Sequence, residues 1–342
     1  MIVEKFPDRM LTLKGKDYLY FGGTGYLGLA THPEFQDFLI SAFKNWGTFY
    51  GSSRNSNIKL SIYKKFESYF AAQIGAEATL TVSSGTLAGR LIIDFLAKRN
   101  PVFFHYPKTH PAILAKNSLP LFINGQLNPR LTTDTNEEIV ITTDAILGLE
   151  VEPVSFSFLD LINKNKEITL VVDESHSLGV VGKNGNGIFN NIKHKKLSNK
   201  IMVSSLGKAL SLSGGIIGGS QNFIKNLVDE SMFVSSSAAN PAYLEAYCKA
   251  SKIFETQRRK LAYNLNYISD RLNNNSTIKF DKRYPVLYSE DEYIYNKLFE
   301  EGIIITSFKY PTYKNRMNRI VITANHTEDD LDKLIKILNI KE

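Results

Sequence analysis

Short apolar runs rich in β-branched residues alternate with longer amphipathic stretches along most of the chain. This alternation constrains the fold most, because strands buried on both faces read as continuous apolar runs and the helices between them are amphipathic. The pattern is typical of a mostly parallel sheet covered by helices, so the sequence predicts an α/β fold. The predicted strands are 79–82, 102–104, 121–123, 139–142, 169–172, 201–204 and 215–218.

Amphipathic stretches fill the intervals between these runs and predict helices. The predicted helices of this part of the chain are 33–46, 60–74, 87–98, 112–117 and 156–163. Apolar residues then recur at helical spacing over 240–272, which predicts one long helix that connects two domains. The remaining segments predict a small α+β domain with strands 285–288, 303–305 and 319–323 and helices 290–301 and 327–338.

These elements predict three parts of the chain. We expect an N-terminal segment over 1–32, a large domain over 33–239, and a connector helix with a small C-terminal domain over 240–342. A chain of 342 residues has the length expected of about two domains of typical size.

Composition excludes several classes of protein. Hydrophobic residues make up 43% and charged residues 22%, which is close to the average of globular proteins and excludes a disordered chain. No apolar run approaches the ~18 residues of a membrane span, so we expect a cytoplasmic protein without one. The single cysteine, Cys248, excludes an internal disulfide and a cysteine-based zinc site. We expect Cys248 in the core and predict no metal.

The net charge of +7 is compatible with a nucleic acid, a membrane surface or a phosphorylated small molecule as partner. The lysines are scattered, however, and the densest basic cluster, 193–196, has no interleaved aromatic residues. We therefore expect no nucleic-acid partner. The cluster is interpreted as a solvated loop, with a polyanionic ligand as the alternative.

A carboxylate and an imidazole follow the predicted strand 169–172 directly. Asp173 and His176 would emerge at the carboxyl end of a buried strand, where α/β sheets place their sites. Taken alone, Asp173 would more often be a helix cap or turn former, and His176 a satisfied structural histidine.

Lys208 lies 35 residues after Asp173 and follows the next predicted strand, 201–204, in the sequence. Its neighbours are small and apolar, and desolvation by such residues lowers the pKa of a lysine and frees its amine to form a Schiff base. Ser204 and Ser205 precede it, and glycines flank it on both sides. Hydroxyls and glycines of this kind are suited to binding a phosphate.

The segment 81–89 reads as a strand, a turn of small residues and the start of a helix. Free N–H groups at a helix start make an anion site, although a plain N-cap at Ser83 or Ser84 is the alternative. Together with Lys208 and Asp173, this segment supplies a phosphate site, a Schiff-base lysine and a carboxylate for a pyridinium nitrogen. Those are the requirements of pyridoxal phosphate catalysis.

Two segments, DESHSLGVVGKNGNG at 173–187 and SSLGKALSLSGG at 204–215, closely resemble the α-oxoamine synthases. These are fold-type I pyridoxal phosphate enzymes that include 8-amino-7-oxononanoate synthase and glycine C-acetyltransferase. The resemblance extends from YFGGTGYLGLATHP at 20–33 to RIVITANHTEDD at 319–330. It implies a fold-type I transferase that uses pyridoxal 5'-phosphate to condense a small amino acid with an acyl-CoA to a 2-amino ketone.

The resemblance also implies the catalytic and cofactor-binding residues. Lys208 would form the Schiff base, Asp173 would pair with the pyridine nitrogen, and His176 would hydrogen-bond the phenolic oxygen. His110 would stack on the cofactor ring. The phosphate contacts implied in the same way are Ser84, Gly85, Thr86 and Ser205.

Further residues are implied at the substrate and at a second subunit. Ser235 and Ser236 would reach the neighbouring subunit's site, which implies a homodimer with shared active sites. Arg319 would bind the substrate carboxylate, since a guanidinium forks onto a carboxylate. Thr24 occupies the position of a family asparagine that helps to hold that carboxylate, and Arg316 is interpreted as a surface charge.

Several positions depart from the family pattern. Tyr63 stands at a family histidine, Ile58 ends an altered glycine-rich segment, and 142–148 lacks the serine-methionine pattern beside the cofactor. These departures, with Thr24, keep an aminotransferase of class I/II open as the alternative function. A non-catalytic pyridoxal phosphate-binding protein is a third hypothesis. The sequence does not distinguish whether Arg54 contacts the cofactor, the substrate carboxylate or only solvent.

Overall fold

The structure is a computed structural model that describes residues 1–273, 277–309 and 316–340. Its strands are β1 (Met10–Leu13), β2 (Lys16–Phe21), β3 (Ala78–Val82), β4 (Val102–His105), β5 (Leu119–Pro120), β6 (Phe122–Ile123), β7 (Gln126–Leu127), β8 (Glu137–Asp144), β9 (Lys166–Asp173), β10 (Leu197–Ser205), β11 (Gly215–Gly219), β12 (Ile278–Lys279), β13 (Val286–Ser289), β14 (Ile303–Phe308) and β15 (Met317–Val321).

Its helices are α1 (Pro33–Trp46), α2 (Ser61–Ile74), α3 (Gly85–Ala97), α4 (Pro129–Thr132), α5 (Gln221–Leu227), α6 (Ser231–Ser235), α7 (Pro241–Lys249), α8 (Ser251–Arg271), α9 (Ile294–Glu300) and α10 (Glu328–Leu338). Short 3-10 turns lie at Pro111–Ile113, Ser157–Leu161, Lys183–Gly185 and Phe189–Asn191. No helix within these described stretches is long and apolar enough to cross a membrane.

A seven-stranded sheet runs in the order β3-β11-β10-β9-β8-β4-β5. The pairs from β10 to β5 are parallel, and β11 is antiparallel to both β10 and β3. Alternate residues of β9 point to opposite faces. Val171 packs in a cluster with Leu91 of α3, whereas Leu170 and Val172 pack in a cluster with Phe158. The predicted α/β fold with a mostly parallel, covered sheet is confirmed.

A second sheet runs in the order β1-β2-β14-β15-β13-β12. Strand β2 pairs in parallel with β14, so the N-terminal strands hydrogen-bond to the C-terminal part of the chain. Helix α10 begins with a capping box at Thr327 and Asp330 and packs against α8. This second sheet with its helices forms the small α+β unit that the sequence predicts.

The single helix predicted over 240–272 is wrong. The chain forms α7 and α8, and Ala250 between them has φ −95° and ψ 15°. In a straight helix, residues seven apart are separated by about 10.5 Å along the axis. The rings of Tyr247 and Phe254 nevertheless lie 4.9 Å apart in the core, and the bend at Ala250 brings them into contact.

Other predicted elements differ from the structure in a similar way. The helices predicted over 112–117 and 156–163 are wrong, because each segment holds only a short 3-10 turn before the chain enters β5 or β9. The strand predicted over 121–123 forms a separate hairpin of β6 with β7, and β5 takes the sheet edge instead. Cys248, expected in the core, is half-buried.

Candidate active site

Three neighbouring strands, β8, β9 and β10, end at the same edge of the large sheet. Asp144 at the end of β8 and Asp173 at the end of β9 are paired in register, and Asp173 is paired with Val203 of β10 on its other side. Lys208 lies in the loop that follows β10. The negative charges of both carboxylates act on its amine. The structure thus brings the predicted Lys208 and Asp173 together.

The amine of Lys208 lies in an environment that disfavours its charged form. Burial lowers the pKa of Lys208 and outweighs the carboxylates of Asp173 and Asp144, which act in the opposite direction. The guanidinium of Arg319 lowers the pKa of Lys208 further. A lysine with a lowered pKa is suited to nucleophilic attack on a carbonyl, which is the role predicted for Lys208.

His176 faces this lysine and is held by a tyrosine that the sequence analysis missed. Its Nδ1 lies 2.9 Å from the Oη of Tyr26, a fully buried residue. Burial of the ring, with the nearby charges of Lys208 and Arg319, keeps the pKa of His176 well below its usual value. Tyr26 lies inside the resembling segment 20–33, but nothing in its spacing distinguishes it from a core residue.

Arg319 reaches the same place from β15 of the second sheet. Its Nη2 donates to Tyr26 Oη and its Nη1 donates to the carbonyl of Gly23 at 3.3 Å. The side chain is buried, and its Nε has no hydrogen-bond partner among the described residues. Unused donor capacity on a buried guanidinium is suited to an anionic ligand. Arg316, in contrast, is exposed and bonds to Ser307, so it is a surface charge as interpreted.

Thr24 follows Gly23, whose carbonyl accepts from Arg319, and it lines a cavity together with residues of the lysine loop. The cavity has a volume of about 500 Å³ and is lined by Thr24, Gly23, Gly207 and Ser211, among others. Tyr20 also lines it, and burial raises the pKa of this phenol.

The four predicted phosphate-binding residues converge at the start of α3. Ser84 caps the helix by accepting from the N–H of Leu87 at 3.1 Å. A Cβ at Gly85 would lie 2.8 Å from the backbone of Ser205, so only glycine allows α3 to begin so close to β10. Thr86 is exposed on the first turn of the helix. The first-turn N–H groups of α3 and the Ser205 segment therefore lie where both could donate to one anion.

His110 lies beside Asp173 and Lys208, because both charges act on its imidazole. Its Nδ1 accepts from the N–H of Ala112, and its own N–H donates to Oδ1 of Asp144 at 3.1 Å. Burial lowers the pKa of His110. Asp144 is the second residue that the sequence analysis missed. Its signal is its place at the end of a buried β-branched strand, as for Asp173.

Ser235 and Ser236 form hydrogen bonds only near α6. Ser235 Oγ donates to the carbonyl of Ser231 at 2.7 Å, and Ser236 Oγ donates to that of Phe233 at 3.0 Å. In the part of the chain that the structure describes, no hydrogen bond joins them to the other predicted site residues.

Arg54 has its partners outside the site. It forms an ion pair with Glu67 at 2.9 Å, bonds to Thr81 and lies 4.0 Å above the ring of Tyr63. Tyr63 in turn donates its hydroxyl to the carbonyl of Ala239. Arg54, Tyr63 and Glu67 line a separate cavity of about 650 Å³ that contains none of the predicted lysine, aspartate or histidine residues. Arg54 and Tyr63 therefore make structural contacts within the chain.

The chain is similar to known proteins over nearly its whole length. The model of the family "Aminotransferase class I and II" matches residues 157–338. An 8-amino-7-oxononanoate synthase of Petrotoga mobilis is 28% identical over 96% of this chain and 90% of the relative. A second one, of Thermoanaerobacter pseudethanolicus, is 27% identical over 95% of this chain and 87% of the relative. The predicted resemblance is confirmed.

Solved structures show the same fold. Serine palmitoyltransferase from S. paucimobilis, with a bound aldimine of pyridoxal phosphate and myriocin, superposes with a TM-score of 0.82 at 15% identity and covers 99% of this chain and 91% of that one. An 8-amino-7-oxononanoate synthase from Francisella tularensis gives a TM-score of 0.70 at 24% identity over 94% of this chain and 97% of that one. The chain thus shares its architecture with these enzymes.

Proposed function

This chain belongs to the aminotransferase class I and II family, and on that premise we propose that it is a pyridoxal phosphate-dependent C-acyltransferase. It would condense a small amino acid with an acyl-CoA to give a 2-amino ketone, with release of CoA as the free thiol and of the amino acid carboxylate as CO2. The relatives named 8-amino-7-oxononanoate synthase, which match over nearly the whole chain, support this reading. The observation that carries it is the convergence of Lys208, Asp173 and the anion site of α3 at one edge of the sheet.

The residues of the site fit pyridoxal phosphate. The start of α3 with Ser205 offers N–H and hydroxyl donors to a phosphate, at a point where a Cβ on Gly85 would not fit. Lys208 offers an amine of lowered pKa to the aldehyde, and Asp173 offers a carboxylate to the ring nitrogen. His110 and His176 lie near both and would contact the ring and its phenolic oxygen.

When bound, the cofactor would supply an electron sink for the electron pair released at the α-carbon of the amino acid. The chain's own residues would do the rest. Arg319 would bind the substrate carboxylate through its unused Nε, with Thr24 beside it. Lys208 would take the α-proton, for which its lowered pKa is suited. Asp173 would hold the proton on the ring nitrogen.

Class I/II aminotransferase activity is the second candidate, and Thr24 is the observation that favours it. A threonine in place of the family asparagine weakens the hold on the substrate carboxylate beside Arg319. Transamination needs the same lysine, aspartate and arginine and no second substrate pocket for CoA.

We further propose a cytoplasmic homodimer with shared active sites. Ser235 and Ser236 support this proposal, because Ser235 is exposed and neither residue bonds to the site of its own subunit within the described chain. The division into 1–32, 33–239 and 240–342 is kept as a proposal, with β1 and β2 of the first part added to the sheet of the third.

Absorption spectroscopy tests the function. Wild-type protein, Lys208→Ala and Lys164→Ala are mixed with pyridoxal phosphate and titrated with alanine, glycine and serine, while thiol release from acyl-CoAs is recorded. Lys164 is an exposed lysine near the opposite end of β9 and serves as the matched control. We expect a Schiff-base band in wild type and Lys164→Ala that Lys208→Ala lacks, and thiol release only with both substrates.

Each other outcome has a distinct meaning. A band that responds to amino acid without any thiol release would favour the aminotransferase. No band in the wild-type protein would refute the cofactor assignment.

A further inference from the structure

Two carboxylates stand side by side at the site, and the proposed chemistry uses only one of them. Asp144 and Asp173 are in-register partners on the parallel strands β8 and β9, so their side chains point to the same face of the sheet. Asp144 is 8% exposed. Two carboxylates at paired positions of adjacent strands in a buried site disfavour each other's ionised form, because like charges repel.

The carboxyl group of Asp144 has one described hydrogen bond, and this bond leads to the site. Its Oδ1 accepts from the N–H of His110 at 3.1 Å. The ring of His110 is fixed in turn, because its Nδ1 accepts from the N–H of Ala112 at 3.2 Å. Asp144 therefore fixes the backbone from which the His110 ring reaches the cofactor position.

The charged groups that face Asp144 come from each neighbouring segment. Asp173 lies on β9, Lys208 on the loop after β10, and His110 on the turn before Pro111–Ile113. On the other side, β4 places His105 beside Thr142, and His105 is bonded to Ser118. Burial, followed by the charge of Asp173, raises the pKa of Asp144 well above its usual value despite the opposing effects of His110 and Lys208.

We propose that Asp144 is a positioning residue that acts as a neutral carboxylic acid and holds the His110 backbone at the site beside Asp173. The proposal rests on the proposed function, since the group that His110 and Asp173 would contact is the cofactor.

Two substitutions separate the neutral acid from a charged one. Asp144→Asn keeps an acceptor for the His110 N–H and is neutral at every pH, whereas Asp144→Ala removes the acceptor. We measure the dissociation constant of pyridoxal phosphate and the pH midpoint of the absorbance of the bound cofactor in both variants and wild type. Circular dichroism checks that each variant is folded.

The proposal predicts that Asp144→Asn keeps the wild-type midpoint, within about 0.3 pH units, while Asp144→Ala weakens cofactor binding about tenfold. If Asp144 were ionised instead, Asn would remove a negative charge near the Schiff base and lower the midpoint by about 1 unit or more. That shift would overturn the proposal, as would an Ala variant that binds the cofactor like wild type.

Infrared difference spectroscopy gives a readout that needs no cofactor. At pH 7, we expect wild type minus Asp144→Asn to show the C=O band of one protonated carboxylic acid. Glu174, the other buried acid near the site, is present in both proteins and cancels. A missing band would overturn the proposal even if the wild-type protein bound no pyridoxal phosphate, in which case the proposed function would fail separately.

Discussion

Arg54 joins two elements, α2 and β3, through one guanidinium group. It bonds to both carboxylate oxygens of Glu67 on α2 and to Thr81 on β3, and it stacks on Tyr63. The side chains of the ion pair are only 13% and 14% exposed. Removing one partner of a nearly buried pair leaves the other charge uncompensated, which costs more than the pair itself contributes.

We therefore expect Arg54→Met to lower the free energy of unfolding by about 3 kcal/mol, measured by urea denaturation. The double variant Arg54→Met/Glu67→Gln serves as the control, because it removes both charges and should recover part of that loss. Cofactor binding should be unchanged in both. A normal stability of Arg54→Met with impaired cofactor binding would instead place Arg54 at the site of a neighbouring subunit.

At the scale of elements, the junction of α3 with β10 builds the proposed anion site. Helix α3 begins at Gly85, and its hypothetical Cβ lies 2.8 Å from Cα, Cβ and N of Ser205. The contact is with backbone, which cannot move aside as a flexible side chain would. Any larger residue must push the helix start away from the strand end.

Gly85→Ala should therefore weaken binding of pyridoxal phosphate at least tenfold, since Ser84 and Ser205 would no longer face one phosphate. The dissociation constant is measured by absorbance titration. Gly51→Ala is the matched control, because a Cβ there meets no atom within 4 Å and its φ is not positive. Equal affinities in the two variants would show that the phosphate lies elsewhere.

The elements that the sequence predicts well are those with the strongest local pattern. Helix α1 has the predicted bounds, and strand β8 contains the whole predicted run 139–142. The bend at Ala250 and the 3-10 turns were not predictable, because they follow from packing and from the short chain lengths available between strands. Strands β1 and β2 were missed, since β2 pairs with β14, which lies almost 300 residues away, and β1 pairs only with β2.

The candidate site shows the same division. Lys208, Asp173 and the Ser84–Thr86 turn were predictable, because each follows a strand and carries a residue type with a definite chemistry. Asp144 ends a buried strand as Asp173 does and was overlooked. Tyr26 was not predictable, because its position depends on a contact between distant segments. Whether a residue such as Arg54 is catalytic or structural is decided by its contacts, which spacing does not contain.

At the scale of the whole molecule, His326 connects β2 in the N-terminal part of the chain to the C-terminal segment before α10. Its Nδ1 accepts from the N–H of Thr323, its Nε2 donates to the carbonyl of Tyr20 in β2, and its ring stacks on Phe21 with centroids 4.0 Å apart. Asn264 of α8 donates to the carbonyl of His326. These bonds require a neutral imidazole, and burial lowers the pKa of His326 to about 4.

This pKa makes stability depend on pH with a definite sign. In the unfolded chain the His326 pKa returns to about 6.5, so between pH 6.5 and 4 the unfolded state binds a proton that the folded state does not. The contribution of His326 to the free energy of unfolding is therefore fully present above pH 6.5. As the pH falls from 6.5 to 4, this contribution decreases by an amount on the order of 3 kcal/mol. His326→Gln does not titrate and should lack this loss.

Urea denaturation of wild type and His326→Gln from pH 7 to pH 4 tests the prediction. We expect wild type to be the more stable protein at pH 7 and to lose that advantage as the pH falls. Glu174, whose pKa burial raises to about 7, contributes a slope of opposite sign to both proteins and cancels in the difference. A difference that stays constant over this range would mean that folded His326 takes up its proton as readily as the unfolded chain, which would contradict the neutral imidazole that joins β2 to the C-terminal segment.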